Sequence, residues 1–254
     1  MSVVTSRDVH DDQRAGGVTV ALSATRARLG LIALLLALAA VAWWSTADRM
    51  SGMDAGPGTA LGALGWFLGV WVVMMAAMML PSVLPVILVL IRIGGSAHAA
   101  GFIGGYLLAW GGFSVAATLV HWALLKAALV SPMMESASVP MSAAVLAFAG
   151  LFQFMPLKHA CLVRCRSPWG AVLNPSSATV ATREGLRHGA FCVGCCWVLM
   201  ALLFVVGVMN LLWIAVIAAY VIAEKWAPGA EWFSRAVGAL LCLAAVAVFG
   251  VDAR

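Results

Sequence analysis

The side chains with the clearest chemistry are sulfur atoms and an imidazole that recur at helical spacing between residues 188 and 200. Steps of four residues place side chains on one face of a helix. The members of this face are His188, Cys192, Cys196 and Met200, with Cys195 beside them. Imidazole, thiolate and thioether groups are ligands of soft metals. The spacing therefore predicts a metal site, whereas the competing interpretation is that small cysteines only permit close helix packing.

A second sulfur group lies before Pro81, where methionines occupy positions 74, 75, 78 and 79. On a helix, Met75 shares a face with both Met78 and Met79. Thioethers suit copper(I), and the proline frees a backbone carbonyl one turn earlier. We predict that these three methionines complete the site, although methionine also serves as a flexible filler of apolar cores.

A third group consists of Cys161 and Cys165, again four residues apart and flanked by arginines that favour the thiolate form. We predict that this pair receives or delivers the metal. Glu224 and Lys225 are expected to form an interfacial pair at a helix end. Four residues are assigned supporting or gating roles, namely Glu224, Lys225, His159 and His121, the last of which is also a candidate exit ligand.

The ligand types favour copper(I) over zinc, because catalytic zinc sites often include a carboxylate and no predicted span has one in its interior. The sequence lacks the nucleotide-binding, zinc-protease, serine-hydrolase and c-type haem motifs. We therefore predict no catalytic residue and lean against an enzyme. Two alternatives stay open: a membrane thiol or quinone oxidoreductase that uses the cysteines, and a structural membrane subunit without a metal.

The composition indicates which elements must position these groups. Hydrophobic residues make up 64% of the chain and charged residues only 10%, against about 25% charged residues in soluble proteins. So few charges cannot cover a water-facing surface, and we predict an all-α, polytopic bundle in a lipid bilayer. The net charge of +5 is assigned to loops near anionic head groups, not to nucleic-acid binding.

Apolar stretches between charged residues predict seven helices, since a helix needs about 20 apolar residues to cross a bilayer. Together they form a single transmembrane domain over residues 29–251, after a polar cytoplasmic tail at 1–28 and with a cytoplasmic loop at 158–187. The number falls to six if residues 188–223 form one span. The predicted spans are 29–47, 61–91, 99–125, 138–157, 188–206, 209–226 and 235–251.

The basic residues orient the predicted bundle. With a cytoplasmic N-terminus, twelve of the 15 Lys and Arg residues fall on the inner side, as expected for membrane proteins. The sulfur groups then lie at or near the cytoplasmic face. Because that compartment is reducing, disulfides are not expected and thiolates stay available for a metal.

Four blocks of residues carry a resemblance to a known family over roughly residues 60–250. The blocks are Trp71 with residues 74–81; Gly105, Tyr106 and Trp110; Gln153, Pro156, Leu157, Lys158, Cys161, Cys165, Arg166 and Pro168; and Gly189, Cys192, Gly194, Cys195, Cys196, Trp197, Leu199, Met200, Met209, Asn210, Glu224 and Lys225. On these residues, the chain resembles the bacterial predicted metal-binding integral membrane protein family, a domain of unknown function. The resemblance implies a multi-pass protein of the bacterial inner membrane that binds a metal.

The combined expectation is an integral membrane protein that binds, and transports or delivers, a soft transition metal, copper(I) before all others. Cys192, Cys195 and Cys196 are the predicted core ligands. The expected partners are the lipid bilayer, the metal ion, and a protein that donates or receives the metal.

Overall fold

A computed structural model describes residues 61–129, 138–166, 178–206, 210–227 and 229–252, with a few separate positions between 30 and 48. The predicted tail at 1–28 and most of the first predicted span, 29–47, lie outside the described residues. The chain divides into two units, Met1–Leu38 and Ala39–Arg254, and the elements below belong to the second. They are α1 (Leu61–Lys126), α2 (Val139–Phe152), α3 (Pro156–Arg166), α4 (Ala178–Ala201), α5 (Leu203–Val206), α6 (Leu211–Trp226) and α7 (Ala230–Asp252).

Within the described part of the chain every element is a helix, which confirms the predicted all-α class. Helix α1 folds back on itself at Gly95, whose φ of 76° and ψ of 179° are not helical. Glycine adopts a positive φ without the steric cost that a Cβ brings. The two halves, residues 61–94 and 96–126, pack antiparallel, since the Phe67 and His121 rings lie 4.7 Å apart at the end of the helix pair that is remote from Gly95. These halves correspond to the predicted helices 61–91 and 99–125.

Several helices are long and apolar enough to cross a membrane. By length and composition they are Leu64–Lys126, Thr179–Val205 and Glu231–Gly250, and a fourth arises if α2 and α3 count as one bent span. Because Gly95 divides α1, each of its halves also exceeds the about 20 residues that a bilayer requires. Helix α7 exposes a row of large apolar side chains, among them Leu243 and Val246, with 66% and 72% of their surface accessible.

The structure departs from the predicted elements around residues 138–187. The predicted span 138–157 is broken: α2 ends at Phe152, α3 begins at Pro156, and the two helices are bent by 63°. The predicted loop 158–187 contains most of α3 and the first turns of α4. Counting apolar residues missed these turns because they carry charges, and arginines in the last turn of α3 are favourable beside helix carbonyls.

Helices α4 and α6 are separate, as the sequence indicated for residues 207–210. Helix α4 ends at Ala201, the short α5 follows, and α6 begins after Asn210. The Asn210 side chain accepts a hydrogen bond from the Trp213 backbone N–H at 3.4 Å and so caps α6. Residues 207–209 lie outside the described part of the chain.

Close packing of α1 against α4 depends on three glycines, Gly105, Gly185 and Gly189. A Cβ at Gly185 would lie against the Phe102 carbonyl oxygen, and a Cβ at Gly105 against the Thr182 carbonyl, both closer than real Cβ contacts allow. Small residues let helix backbones approach in this way. This approach brings residues of the second half of α1, including Tyr106, beside the middle of α4.

The Gly185→Ala variant is therefore expected to lower stability, because either helix must move to admit the methyl group. Overpacking of this kind costs about 1–3 kcal/mol. Thermal unfolding of the detergent-solubilised protein measures the loss. Gly104→Ala is the matched control, since a Cβ there meets nothing within 4 Å and alanine is the better helix former. Equal melting temperatures for both variants would contradict the packing argument.

Candidate metal centre

Four buried thiols lie together where α3 meets α4, and we call them the thiol cluster: Cys165, Cys192, Cys195 and Cys196. Each is at most 3% exposed. Cys195 and Cys196 lie one helical turn after Cys192, and both thiols donate to the Cys192 carbonyl, at 3.0 and 2.9 Å. The Cys165 thiol comes from α3 and interacts with the thiols of Cys192 and Cys195. Its Sγ also lies 4.0 Å from Nε2 of His188.

A buried ammonium group contacts the cluster. Lys225 Nζ, on α6, lies 2.9 Å from the Cys192 Sγ and donates to the Ser82 hydroxyl at 2.7 Å. The Tyr106 hydroxyl lies 3.1 Å from the same sulfur. Positive charge and hydrogen-bond donors next to a thiol favour its thiolate form. Cys192 is therefore the sulfur in the cluster whose surroundings suit a negative charge best.

Residues 74–79 of α1, which we call the methionine turn, lie beside this sulfur. Tyr106 donates to the Met79 carbonyl at 3.3 Å while its oxygen contacts Cys192, and Ser82 donates to the same carbonyl at 2.7 Å. The Trp226 indole N–H donates to the Ser82 carbonyl at 3.2 Å and ties α6 to this turn. The predicted sulfur ligands on α1 and the far end of α4 are all buried, each at most 1% exposed: Met75, Met78, Met79 and Met200.

The other predicted residues do not join the cluster. Cys161 is half-buried one turn before Cys165, where its Sγ packs against Gly194. His159 is exposed and pairs with Glu231 of α7 at 3.2 Å. His121 lies fifteen residues after Tyr106, which corresponds to about 22 Å along a helix. It is wholly buried against Phe67 and Phe204, and neither ring nitrogen has a partner among the described residues.

The expected pairing of Glu224 with Lys225 is wrong. Consecutive residues of a helix point about 100° apart, and the two side chains face different partners. Lys225 reaches the thiol cluster, whereas Glu224 forms a buried ion pair with Lys158 of α3. Both Glu224 and Lys158 are 1% exposed, so this pair is internal and not interfacial.

A second buried group surrounds that ion pair, and we call it the polar network: Gln153, Lys158, Tyr220, Glu224 and Ser234. Lys158 donates to Gln153, Glu224 and Ser234, and Ser234 donates to Glu224. The Tyr220 hydroxyl donates to Glu224 at 3.0 Å. Sequence reasoning assigned no site role to Lys158, Tyr106 or Ser82, although a lysine directly after an apolar predicted span was a visible signal for the first.

The donor atoms of the thiol cluster are all sulfur. Within the described residues, no three His, Cys, Asp or Glu side chains are arranged to enclose one ion. The His188 imidazole and the Lys225 ammonium lie beside these sulfur atoms, and the six cysteines are free thiols. Such a set suits copper(I), a soft ion.

Comparison with known proteins agrees with this chemistry. No curated protein and no solved structure matches the chain significantly. A family model named PpoB2 and described as a copper chaperone matches residues 68–248. The match includes the thiol cluster, the methionine turn, Lys225 and the polar network, and confirms that the chain belongs to a metal-related family. The protein is therefore a member of the copper chaperone family.

Proposed function

We propose that this protein is a membrane-embedded copper chaperone that binds copper(I) at the thiol cluster and passes it to a receiving protein. The observation that carries the proposal is the contact of Lys225 Nζ with Cys192 Sγ, at 2.9 Å, among three further buried thiols. A buried lysine is costly unless a negative partner compensates it. Here the compensating group is a sulfur, which is itself a soft-metal ligand.

Charge balance supports copper(I) as the cargo. A copper(I) ion held by two thiolates carries one net negative charge, and such a complex would be unstable in an apolar interior without compensation. Lys225 supplies one positive charge within hydrogen-bond distance of Cys192.

We further propose that the bundle spans the bacterial inner membrane seven times with its N-terminus in the cytoplasm. The long apolar helices and the exposed apolar face of α7 support membrane insertion. The excess of basic residues near the thiol cluster supports a cytoplasmic position for it. Copper(I) would then be bound from the reducing side of the membrane, where thiols stay reduced.

The methionines and His121 suggest a direction of release. Met75, Met78 and Met79 are buried thioethers on α1, and Met200 is a buried thioether on α4. Thioethers hold copper(I) more loosely than thiolates because they are uncharged. His121 lies beyond them, near the end of α1, with both ring nitrogens unpartnered in the described structure. We propose that copper leaves the thiol cluster along these sulfurs, with His121 near the exit.

The proposal is tested by measuring copper bound to the purified protein. The wild type, loaded with copper(I) under a competing chelator, is expected to retain the ion. The Cys165, Cys192, Cys195, Cys196→Ser variant is expected to lose it. Cys242→Ser is the matched control, because Cys242 lies on α7 and packs against Gly150, away from the cluster.

X-ray absorption of the loaded wild type should show sulfur atoms as the copper neighbours, with the edge position of copper(I). Copper retention by the quadruple serine variant, at the level of the wild type, would rule out the thiol cluster as the site. Stronger retention of zinc than of copper under the same competition would rule out the assigned cargo.

A further inference from the structure

A cationic surface lies beside the thiol cluster and has no role in the chemistry described so far. It consists of the exposed arginines Arg164 of α3 and Arg183 and Arg187 of α4, and we call it the arginine patch. The guanidinium groups of Arg164 and Arg187 lie over the Phe191 ring, 5.1 and 5.9 Å from its centroid. Phe191 thus holds two positive charges at neighbouring positions on the surface.

The acidic residues near the patch do not neutralise it. Glu184 lies 3.9 Å from Arg187, at the limit of an ion pair, and exposed pairs of this kind contribute little. Arg166 is separate, since its guanidinium donates to the Ala227 carbonyl at 2.6 Å and closes the end of α6. The arginine patch therefore retains a net positive charge toward its surroundings.

The patch borders the half-buried thiol of Cys161. Helices α3 and α4 run antiparallel here, because Cys161 packs on Gly194 while Arg164 packs on Phe191, one turn away on each helix. Of the two cysteines on α3, Cys161 is partly accessible. Cys165, which belongs to the buried thiol cluster, follows one turn later. A ligand at the arginine patch would therefore lie next to a thiol that leads into the thiol cluster.

We propose that the arginine patch binds an anionic thiol carrier of copper(I), a small molecule with carboxylate groups and a copper-bound sulfur, and orients it toward Cys161. The inference rests on the proposed function and names the form in which copper arrives. Arginine side chains recognise carboxylates through paired hydrogen bonds. A small carrier is favoured over a protein because Cys161 is half-buried between two helices, where a broad protein surface has little room.

The transfer is an exchange of sulfur ligands. The copper–sulfur bond to the carrier breaks as a copper–sulfur bond to Cys161 forms, and the proton of the Cys161 thiol passes to the departing carrier thiolate. Copper remains in the +1 state throughout, so no oxidant or reductant is needed. A second exchange of the same kind moves the ion from Cys161 to Cys165 of the thiol cluster.

The test follows the rate of copper uptake by the full-length apoprotein in an uncharged detergent free of lipid. The two probes are copper(I)–glutathione, whose carrier is anionic, and copper(I)–cysteamine, whose carrier is cationic. At low salt the wild type is expected to load faster from glutathione, and the preference should shrink as salt screens the patch. Arg164→Gln with Arg187→Gln should slow loading from glutathione about tenfold or more, with the final copper content unchanged.

Lys126→Gln is the matched control, because Lys126 is also exposed and cationic but is the last residue of α1. The other end of this half of α1, at Phe102, is the one that packs against Gly185, beside the arginine patch. The control variant should load at the wild-type rate from both carriers. Cys161→Ser should load slowly from both carriers, since it removes the first acceptor sulfur and not the charge.

Equal loading rates for the double arginine variant and the wild type would overturn the inference. So would a dependence on these arginines that appears only after anionic lipid is added, because the patch would then bind the membrane. A wild type that takes up no copper from either carrier would instead contradict the proposed function itself, so the two failures are distinguishable.

Discussion

Replacing Lys225 by leucine is expected to weaken copper(I) binding by about 10- to 100-fold. Hydrogen bonds to charged groups contribute roughly 1.5–3 kcal/mol, and each 1.4 kcal/mol or so corresponds to a factor of ten in affinity. Without the ammonium, a copper ion on two thiolates leaves a buried negative charge uncompensated. Leucine is chosen because methionine would add a thioether to the site. Competition with a copper(I) chelator of known affinity measures the effect.

Lys126→Leu is the control for this variant, since it removes an exposed cation whose Nζ lies over the Trp122 ring, 5.8 Å from its centroid. Its copper affinity should match that of the wild type. Circular dichroism should show the same helix content for both variants. If Lys225→Leu binds copper as tightly as the wild type, Lys225 does not balance the charge of the site.

The second large effect is expected in the polar network. Lys158→Met or Glu224→Leu alone should lower the free energy of unfolding by about 3–5 kcal/mol, because either change leaves one buried charge unpaired. The double variant should recover much of the loss, since an apolar pair of similar volume is often neutral or stabilising. Denaturant titration of the protein in mixed micelles, followed by circular dichroism, gives the three free energies.

The same variants separate stability from function. Copper affinity should stay near the wild-type value in the double variant, since Glu224 and Lys158 belong to the polar network and hydrogen-bond to its members, whereas the thiol cluster contacts Lys225. Additive losses in the double variant, without any recovery, would show that the two charges do not act as a pair.

Three of the four members of the thiol cluster could be predicted from the sequence because they lie on one helix, α4. Steps of four from His188 to Met200 specify a face of α4, and all four of these side chains are buried. The apolar stretches on either side of Arg92 also anticipated the two halves of α1. Residues that share one helix face are close in the chain, so the helical repeat alone decides their arrangement.

Long-range partners could not be predicted in this way. The Lys158–Glu224 pair spans 66 residues, and no local pattern connects them. The adjacency of Glu224 and Lys225 suggested a pair, but consecutive helix residues point about 100° apart, and the two side chains bind different partners. The contribution of Cys165 to the cluster likewise depends on how α3 packs against α4, which follows from the bend after Phe152 and not from spacing.

The two buried lysines differ in how many of their hydrogens are occupied. An ammonium group has three hydrogens to donate. Lys158 gives one each to Gln153, Glu224 and Ser234 and is saturated. Lys225 donates to Ser82 and Cys192, which leaves it one hydrogen beyond these two bonds. Lys158 thus links its helix to α6 and α7 through a complete set of hydrogen bonds. Lys225 keeps one hydrogen that can bond to a second sulfur of the thiol cluster when the charge of the cluster changes.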